Sequence, residues 1–234
     1  MGTLASYVAD ELDIDVAIEP LSPGLDGLAA SRPGFQLIMV SSSVSATRQR
    51  YTLAHELGHL LAGDGSRKSS LGIQVDENIM GARSPAETRA NAFAAAFLMP
   101  AEALRAACGG QAEISQQLIA DLLGRYRVSL DALAFRLHDT GIITAAQREE
   151  IRRMSSARIA MRHGRTADLQ ARRGRRWPDG LLSRALEAYA RAEISIRPIA
   201  QLLEVDEAML LEELAPIQLG PPDRSADDEL VPFL

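Results

Sequence analysis

The sequence predicts an α+β fold, a small sheet packed with helices, followed by a mainly helical C-terminal region. Three observations carry this. Alanine and leucine are abundant while aromatic residues make up only 4% of the 234 residues, a balance that favours helices over a large β-sandwich. The segments that read as strands, Val16 to Leu21, Leu28 to Ala30 and Phe35 to Val40, all lie before Ser41. Beyond it, apolar residues recur at helical spacing. The length suits one good core plus a small second domain, and 47% apolar with 24% charged residues is ordinary for a globular chain.

Leu4, Val8 and Leu12 lie four apart and predict a short first helix. Val16 to Leu21 reads as a strand, and Ser22-Pro23-Gly24 and Asp26-Gly27 as turns. Leu28 to Ala30 and Phe35 to Val40 predict two strands joined around Ser31-Arg32-Pro33-Gly34; the run Leu37-Ile38-Met39-Val40 marks the second as buried. Arg48 to Ala62 predicts a helix with Tyr51, Ala54, Leu57, Leu60 and Leu61 on its apolar side, ended at Gly63. Residues 67–83 read as a loop or weak hairpin. A second long helix is expected from Pro85 to Leu98. Ser84 caps it, Glu87 stands at the capping-box position, and Pro100 closes it. Further helices follow over Ala101–Ala107, Ser115–Tyr126 and Ser129–Leu137. Leu181–Arg191 and Ile196–Leu214 also read as helical, together a helix-turn-helix-like unit.

The N-terminus has no basic start and no long apolar run, so it does not read as a secretory signal, and no membrane span is expected. The single cysteine, Cys108, cannot form an internal disulfide, and a reducing cytoplasm is the expected compartment. The net charge of −6 hides an asymmetry. Between Arg148 and Arg176 there are ten arginines against Glu149, Glu150 and Asp168; from Glu204 to Leu234 there are nine acidic residues against Arg224 alone. The basic stretch offers a weak contact to DNA or to an acidic partner; equally, the two segments partly neutralise each other or are simply solvated. The expected organisation is a domain over 1–147, an Arg-rich linker over 148–180, a small helical region over 181–217, and an acidic disordered tail over 218–234.

The chemistry is concentrated in His55-Glu56-Leu57-Gly58-His59. Two histidines four apart in a helix project from one face, one turn apart, and can reach a single zinc ion. Glu56 beside them is placed to take a proton from water and return it to a leaving amine. A catalytic zinc wants a third protein ligand and an open position. His138, His163, Cys108 and nearby carboxylates are candidates, and Glu87 at the start of the next helix is the best. Asn91, one turn after Glu87, is placed to steady a ligand histidine. This arrangement resembles gluzincins, in which a glutamate on a second helix completes the site. Against these readings stand plainer ones: Glu87 as a capping carboxylate, Asn91 as a surface amide, His138 as structural, His163 as solvated, Cys108 as packing. Tyr51 reads as a core anchor, Asp76 and Glu77 as unmarked loop carboxylates.

Two segments, Arg48 to His59 and Glu87-Thr88-Arg89-Ala90-Asn91-Ala92-Phe93-Ala94-Ala95-Ala96-Phe97-Leu98-Met99-Pro100, resemble the ImmA/IrrE family of metallopeptidases. The stretch Val128 to Ile143 is similar to the helices that follow in that family, so the resemblance covers about residues 1–147. It implies a zincin-like peptidase domain, zinc as the metal, His55, His59 and Glu87 as ligands, and Glu56 as base and acid. It also implies an intracellular endopeptidase that cleaves a helix-turn-helix repressor or antitoxin, relieving repression of stress-response or toxin–antitoxin genes. Arg89 departs from the pattern, since relatives often carry an acidic residue there. A different reading remains open: a zinc-stabilised protein-binding or DNA-associated regulatory module with little or no cleavage. The acidic flank of the C-terminal helices argues against tight DNA binding.

Overall fold

The computed structural model describes residues 4–64, 73–76, 84–109, 114–163, 176–178 and 180–217. Helix α1 (Leu4–Leu12) turns Leu4, Ala5 and Val8 inward. Asp13 takes a left-handed conformation (φ 54°), which leads the chain out of the helix and into strand β1 (Asp15–Glu19), where Val16, Ala17 and Ile18 are buried. Strands β2 (Gly27–Arg32) and β3 (Phe35–Ser41) form an antiparallel hairpin with Arg32 opposite Phe35. Pro33 and Gly34 close it: proline pre-sets one turn angle and Gly34 takes the positive φ of 75° that a side chain would disfavour. β1 runs parallel to β3 on its other edge, with Val16 beside Ile38 and Ile18 beside Val40.

The sheet has four strands in the order β1-β3-β2-β4. The fourth, β4 (Ile73–Asp76), falls where the sequence reads as a loop or weak hairpin. It forms because the outer edge of β2 offers backbone partners: Leu28 stands opposite Val75 and Gly27 opposite Asp76. Such pairing depends on a remote strand and leaves little local signature. The rest of the 67–83 stretch, Glu77 included, lies outside the described residues.

Helix α2 (Ala46–Ala62) starts at Ser45, whose Oγ accepts from the Arg48 N–H, and is tied to the end of β3 by the buried Gln49 amide, which donates to the carbonyls of Ser41 and Val44 at 3.2 Å each. Every residue from Thr52 to Leu60 is buried, because α2 lies between the sheet and helix α3 (Pro85–Leu98). The two helices approach closely at Gly58, where an added Cβ would sit 3.0 Å from Phe93 Cδ1 and 3.3 Å from the Ala90 Cα. A glycine in a helix interior costs about 1 kcal/mol against alanine, and here it allows this contact. Met99 leaves the helical region ahead of Pro100 (φ −135°, ψ 77°), as the residue before a proline is pushed to do.

Among the described residues, helices α4 (Ala101–Cys108), α5 (Gln116–Tyr126), α6 (Leu130–Asp139), α7 (Ala145–Arg153) and α8 (Ser156–Arg162) follow in the first unit. Hydroxyl caps from Ser115, Ser129, Thr144 and Ser155 begin the last four. Leu104, Cys108, Ile119, Leu122, Leu133 and Leu137 join Val16, Ile38, Leu53 and Leu57 in one core. The stretch expected as an Arg-rich linker behaves differently over its described part. Its apolar residues Ile151 and Ile159 enter this same core, and the Arg176 backbone bridges Ile18 of β1. Residues 164–175 lie outside the described residues.

The chain divides into two compact units, Met1–Trp177 and Pro178–Leu234. In the second, α9 (Leu181–Ala190), α10 (Arg197–Leu203), α11 (Glu207–Leu214) and a 3-10 turn (Ala215–Ile217) enclose Tyr189, Ile196, Ile199, Ala200, Leu210 and Leu214. The helical stretch from Ile196 to Leu214 is two helices: Glu204 adopts φ 58° and ends the first, and Asp206 caps the next by accepting from the Ala208 and Met209 N–H groups. The tail over 218–234 lies outside the described residues. No helix among the described residues is long and apolar enough to cross a membrane.

Candidate functional site

His55 and His59 lie one turn apart on α2 and both are fully buried. Their rings stand edge to face with centroids 4.7 Å apart, and their Nε2 atoms face each other at 3.0 Å. Glu87, in the first turn of α3, meets both: Oε2 lies 3.1 Å from His55 Nε2 and Oε1 lies 3.3 Å from His59 Nε2. The capping and site readings of Glu87 separate cleanly. Its backbone N–H donates to Ser84 Oγ at 3.2 Å, which caps the helix, while its carboxylate turns to the histidines. The cap fixes where α3 begins, and with it the height at which this carboxylate meets α2.

The outer nitrogens decide what the inner ones present. His59 Nδ1 lies 3.0 Å from Asp64 Oδ2, and a carboxylate only accepts, so that nitrogen carries the proton. His55 Nδ1 lies 3.1 Å from Asn91 Oδ1, which also accepts from the Tyr51 hydroxyl at 3.2 Å. When each ring is neutral with Nδ1 as its donor, both Nε2 atoms turn lone pairs toward one another and toward a carboxylate. Acceptors facing acceptors repel unless a cation lies among them. A tetrahedral zinc with bonds of about 2.0–2.1 Å would set its donor atoms roughly 3.3 Å apart, close to the spacings observed. The three residues therefore fit a divalent metal. They form the one group of three or more potential ligands among the described residues.

Glu56 is fully buried beside this cluster. The first residue of β2 comes close to it: a Cβ on Gly27 would lie 3.1 Å from Glu56 Oε1 and 2.5 Å from Thr52 Cγ2. Gly27 thus brings the strand backbone against the glutamate, and no side chain fits between them.

The other candidates are elsewhere. His138 Nδ1 lies 3.6 Å from Asp139 on its own helix. His163 follows the end of α8. Cys108 is buried in the core, and burial pushes its thiol above the ordinary range. Tyr51, which reads from sequence as a core anchor, instead reaches Asn91. Burial raises its phenol above the usual value, with Arg48 pulling partly the other way, so its hydroxyl keeps its proton and donates. Asp64 carries no mark in the sequence beyond its place after the helix-ending Gly63. The signal was positional: Gly63 is left-handed (φ 69°), its N–H returns to Leu60, and the Asp64 N–H returns to the His59 carbonyl, the turn that folds a chain back over the helix it ends.

The chain is similar to known proteins over this region. A peptidase family model described as the IrrE N-terminal-like domain matches residues 9–138. The radiation response metalloprotease IrrE of Deinococcus deserti is 36% identical over 126 residues, 49% of this chain and 39% of that protein. Its counterpart in Deinococcus radiodurans is 32% identical over 135 residues, 55% of this chain and 34% of that protein. The chain thus spans well under half the length of the curated relatives it matches. A solved Mycobacterium tuberculosis transcriptional regulator aligns with a TM-score of 0.38 at 22% identity, covering 57% of this chain and 39% of that one. With more than half of its length matched by the family model, this chain belongs to the ImmA/IrrE family of metallopeptidases.

Proposed function

We propose that the chain is a zinc-dependent endopeptidase whose substrate is a helix-turn-helix repressor or an antitoxin, cleaved to relieve repression. The observation that carries the reading is the convergence of His55 Nε2, His59 Nε2 and the Glu87 carboxylate within 3.0–3.3 Å of one another, buried and with each histidine held from behind. In this reading His55, His59 and Glu87 hold the zinc, and Asn91 orients His55. Bound zinc supplies Lewis-acid chemistry, polarising a peptide carbonyl and making water acidic near neutral pH. Glu56 does the proton work. Its carboxylate takes a proton from the attacking water, and the same oxygen then delivers it to the leaving amine. Its burial in a site walled by α2 and β2 keeps bulk water from competing for that proton. The metallopeptidase names of the Deinococcus relatives support the reaction class. The substrate class rests on family resemblance.

The second reading is a zinc-stabilised binding module. Its support is the second unit, whose helix α11 exposes Glu207, Glu212 and Glu213. Phosphate contacts need positive charge, so this face suits a protein partner better than DNA. One experiment separates the two. Host cells expressing the wild type or Glu56→Gln are compared for new protein N-termini by mass spectrometry. New termini with the wild type alone are expected, because the substitution removes the proton carrier and leaves the ligands in place. Identical termini, with zinc in both proteins, would favour the binding module.

A further inference from the structure

Asp64 makes two contacts that tie the site together. Its Oδ2 lies 3.0 Å from His59 Nδ1, and its Oδ1 accepts from Arg89 Nη2. Arg89 stands on α3 between Glu87 and Asn91, the two residues of that helix that reach the histidines. The Asp64 side chain is largely covered, 12% exposed, while that of Arg89 is 52% exposed. An ion pair with so exposed a partner is screened by solvent and adds little to stability. What it does is fix a direction: with Oδ1 engaged by α3, Oδ2 is left pointing at His59. The backbone supports the same placement, since the left-handed turn at Gly63 returns the Asp64 N–H to the His59 carbonyl at 3.1 Å. His55 is held differently, by the neutral amide of Asn91 from within α3. The two rings therefore have unlike supports, one amide and one carboxylate.

We propose that Asp64, aimed by Arg89, is the positioning residue for His59: it holds the ring in the Nδ1-protonated form with Nε2 turned to the metal, and so sets metal affinity. This rests on the metal-site reading above. A carboxylate behind a ligand imidazole fixes its tautomer and orientation and strengthens its donation, and loss of such a partner typically weakens metal binding by roughly 10–100-fold. Arg89 acts at one remove, so its loss has a smaller effect. Asparagine at position 64 keeps an acceptor for the Nδ1–H and loses the charge, so it should fall between.

The test is zinc affinity by chelator competition on the full chain, for wild type, Asp64→Ala, Asp64→Asn and Arg89→Ala, with thermal unfolding of each metal-free protein. The expected order of weakening is Asp64→Ala most, at about 10-fold or more, then Asp64→Asn, then Arg89→Ala, with metal-free unfolding little changed. A merely structural role would lower the unfolding temperature and leave affinity in place. Should Asp64→Ala fail to fold without metal, the other two variants decide: weaker binding supports the proposal, and affinity within about twofold of wild type for both overturns it. Tight zinc binding by the wild type, matched by every variant, sinks this inference alone. No zinc binding by the wild type sinks the metal-site reading together with it.

Discussion

Asn91 and Tyr51 show how much a side chain can do from behind a buried histidine. Asn91 Oδ1 accepts from two donors, His55 Nδ1 and the Tyr51 hydroxyl, and its amide cannot rotate without losing both. Asn91→Ala is expected to weaken zinc binding by roughly tenfold or more, read by the same chelator competition. Tyr51→Phe removes only the outer bond, and a loss near 1 kcal/mol in unfolding free energy is expected; its zinc affinity should stay closer to wild type than that of Asn91→Ala. Equal affinities for the two variants would mean that Asn91 does not orient the ring. The sequence made Asn91 a candidate because it follows Glu87 by one turn. Tyr51 was hidden, since the same hydrophobic spacing that puts its ring toward the core also carries its hydroxyl to α3.

At the scale of elements, the site depends on how closely α2, α3 and β2 approach. Gly58 sets the first distance and Gly27 the second. Gly58→Ala gains about 1 kcal/mol in helix propensity but drives a Cβ to 3.3 Å from the backbone of Ala90, which cannot swing aside as a side chain can. A net loss of about 1–3 kcal/mol is expected, measured by denaturant unfolding of the metal-free protein. A stabilised variant would show that α3 has room to retreat. Ser84→Ala removes the cap that starts α3 and should cost about 1 kcal/mol. Much of this was legible beforehand: the cap at Ser84, the stop at Gly63 and the break before Pro100 are local chemistry. β4 was not, because its partner, β2, lies far along the chain.

At the scale of the whole molecule, a metal held at this site would be coupled to the fold of the first unit. His55 and His59 come from α2 and Glu87 from α3, so an ion held by all three would cross-link helices that otherwise meet through packing and the hydrogen bonds to Asn91. Anything bound to the native state alone stabilises it by mass action, by about 2.7 kcal/mol at a hundred times its dissociation constant. Zinc is therefore expected to raise the unfolding temperature of the wild type, and a chelator to reverse the rise; a flat response would argue against a three-residue site. Cys108 offers a reporter for the same unit. Its thiol is buried in the core and held protonated by that burial, so a thiol reagent should label it only as the first unit opens. Rapid labelling of the native protein would contradict that packing.

What the sequence determined by itself was local: helix starts and stops, the alternation and runs that mark strands, and a His-Glu-Leu-Gly-His spacing that one helix turns to a single face. Such features depend on residues within a turn or two of each other, and one chain suffices to read them. What only the tertiary structure decided was which remote groups meet. It turned the Glu87 carboxylate away from its cap and toward the histidines, joined Tyr51 to Asn91, paired β4 with β2, and drew Ile151 and Ile159 of an apparent linker into the main core. The reason is the same in each case: these contacts are selected by packing and burial across distant segments, and a side chain's composition or spacing carries no record of its eventual neighbour.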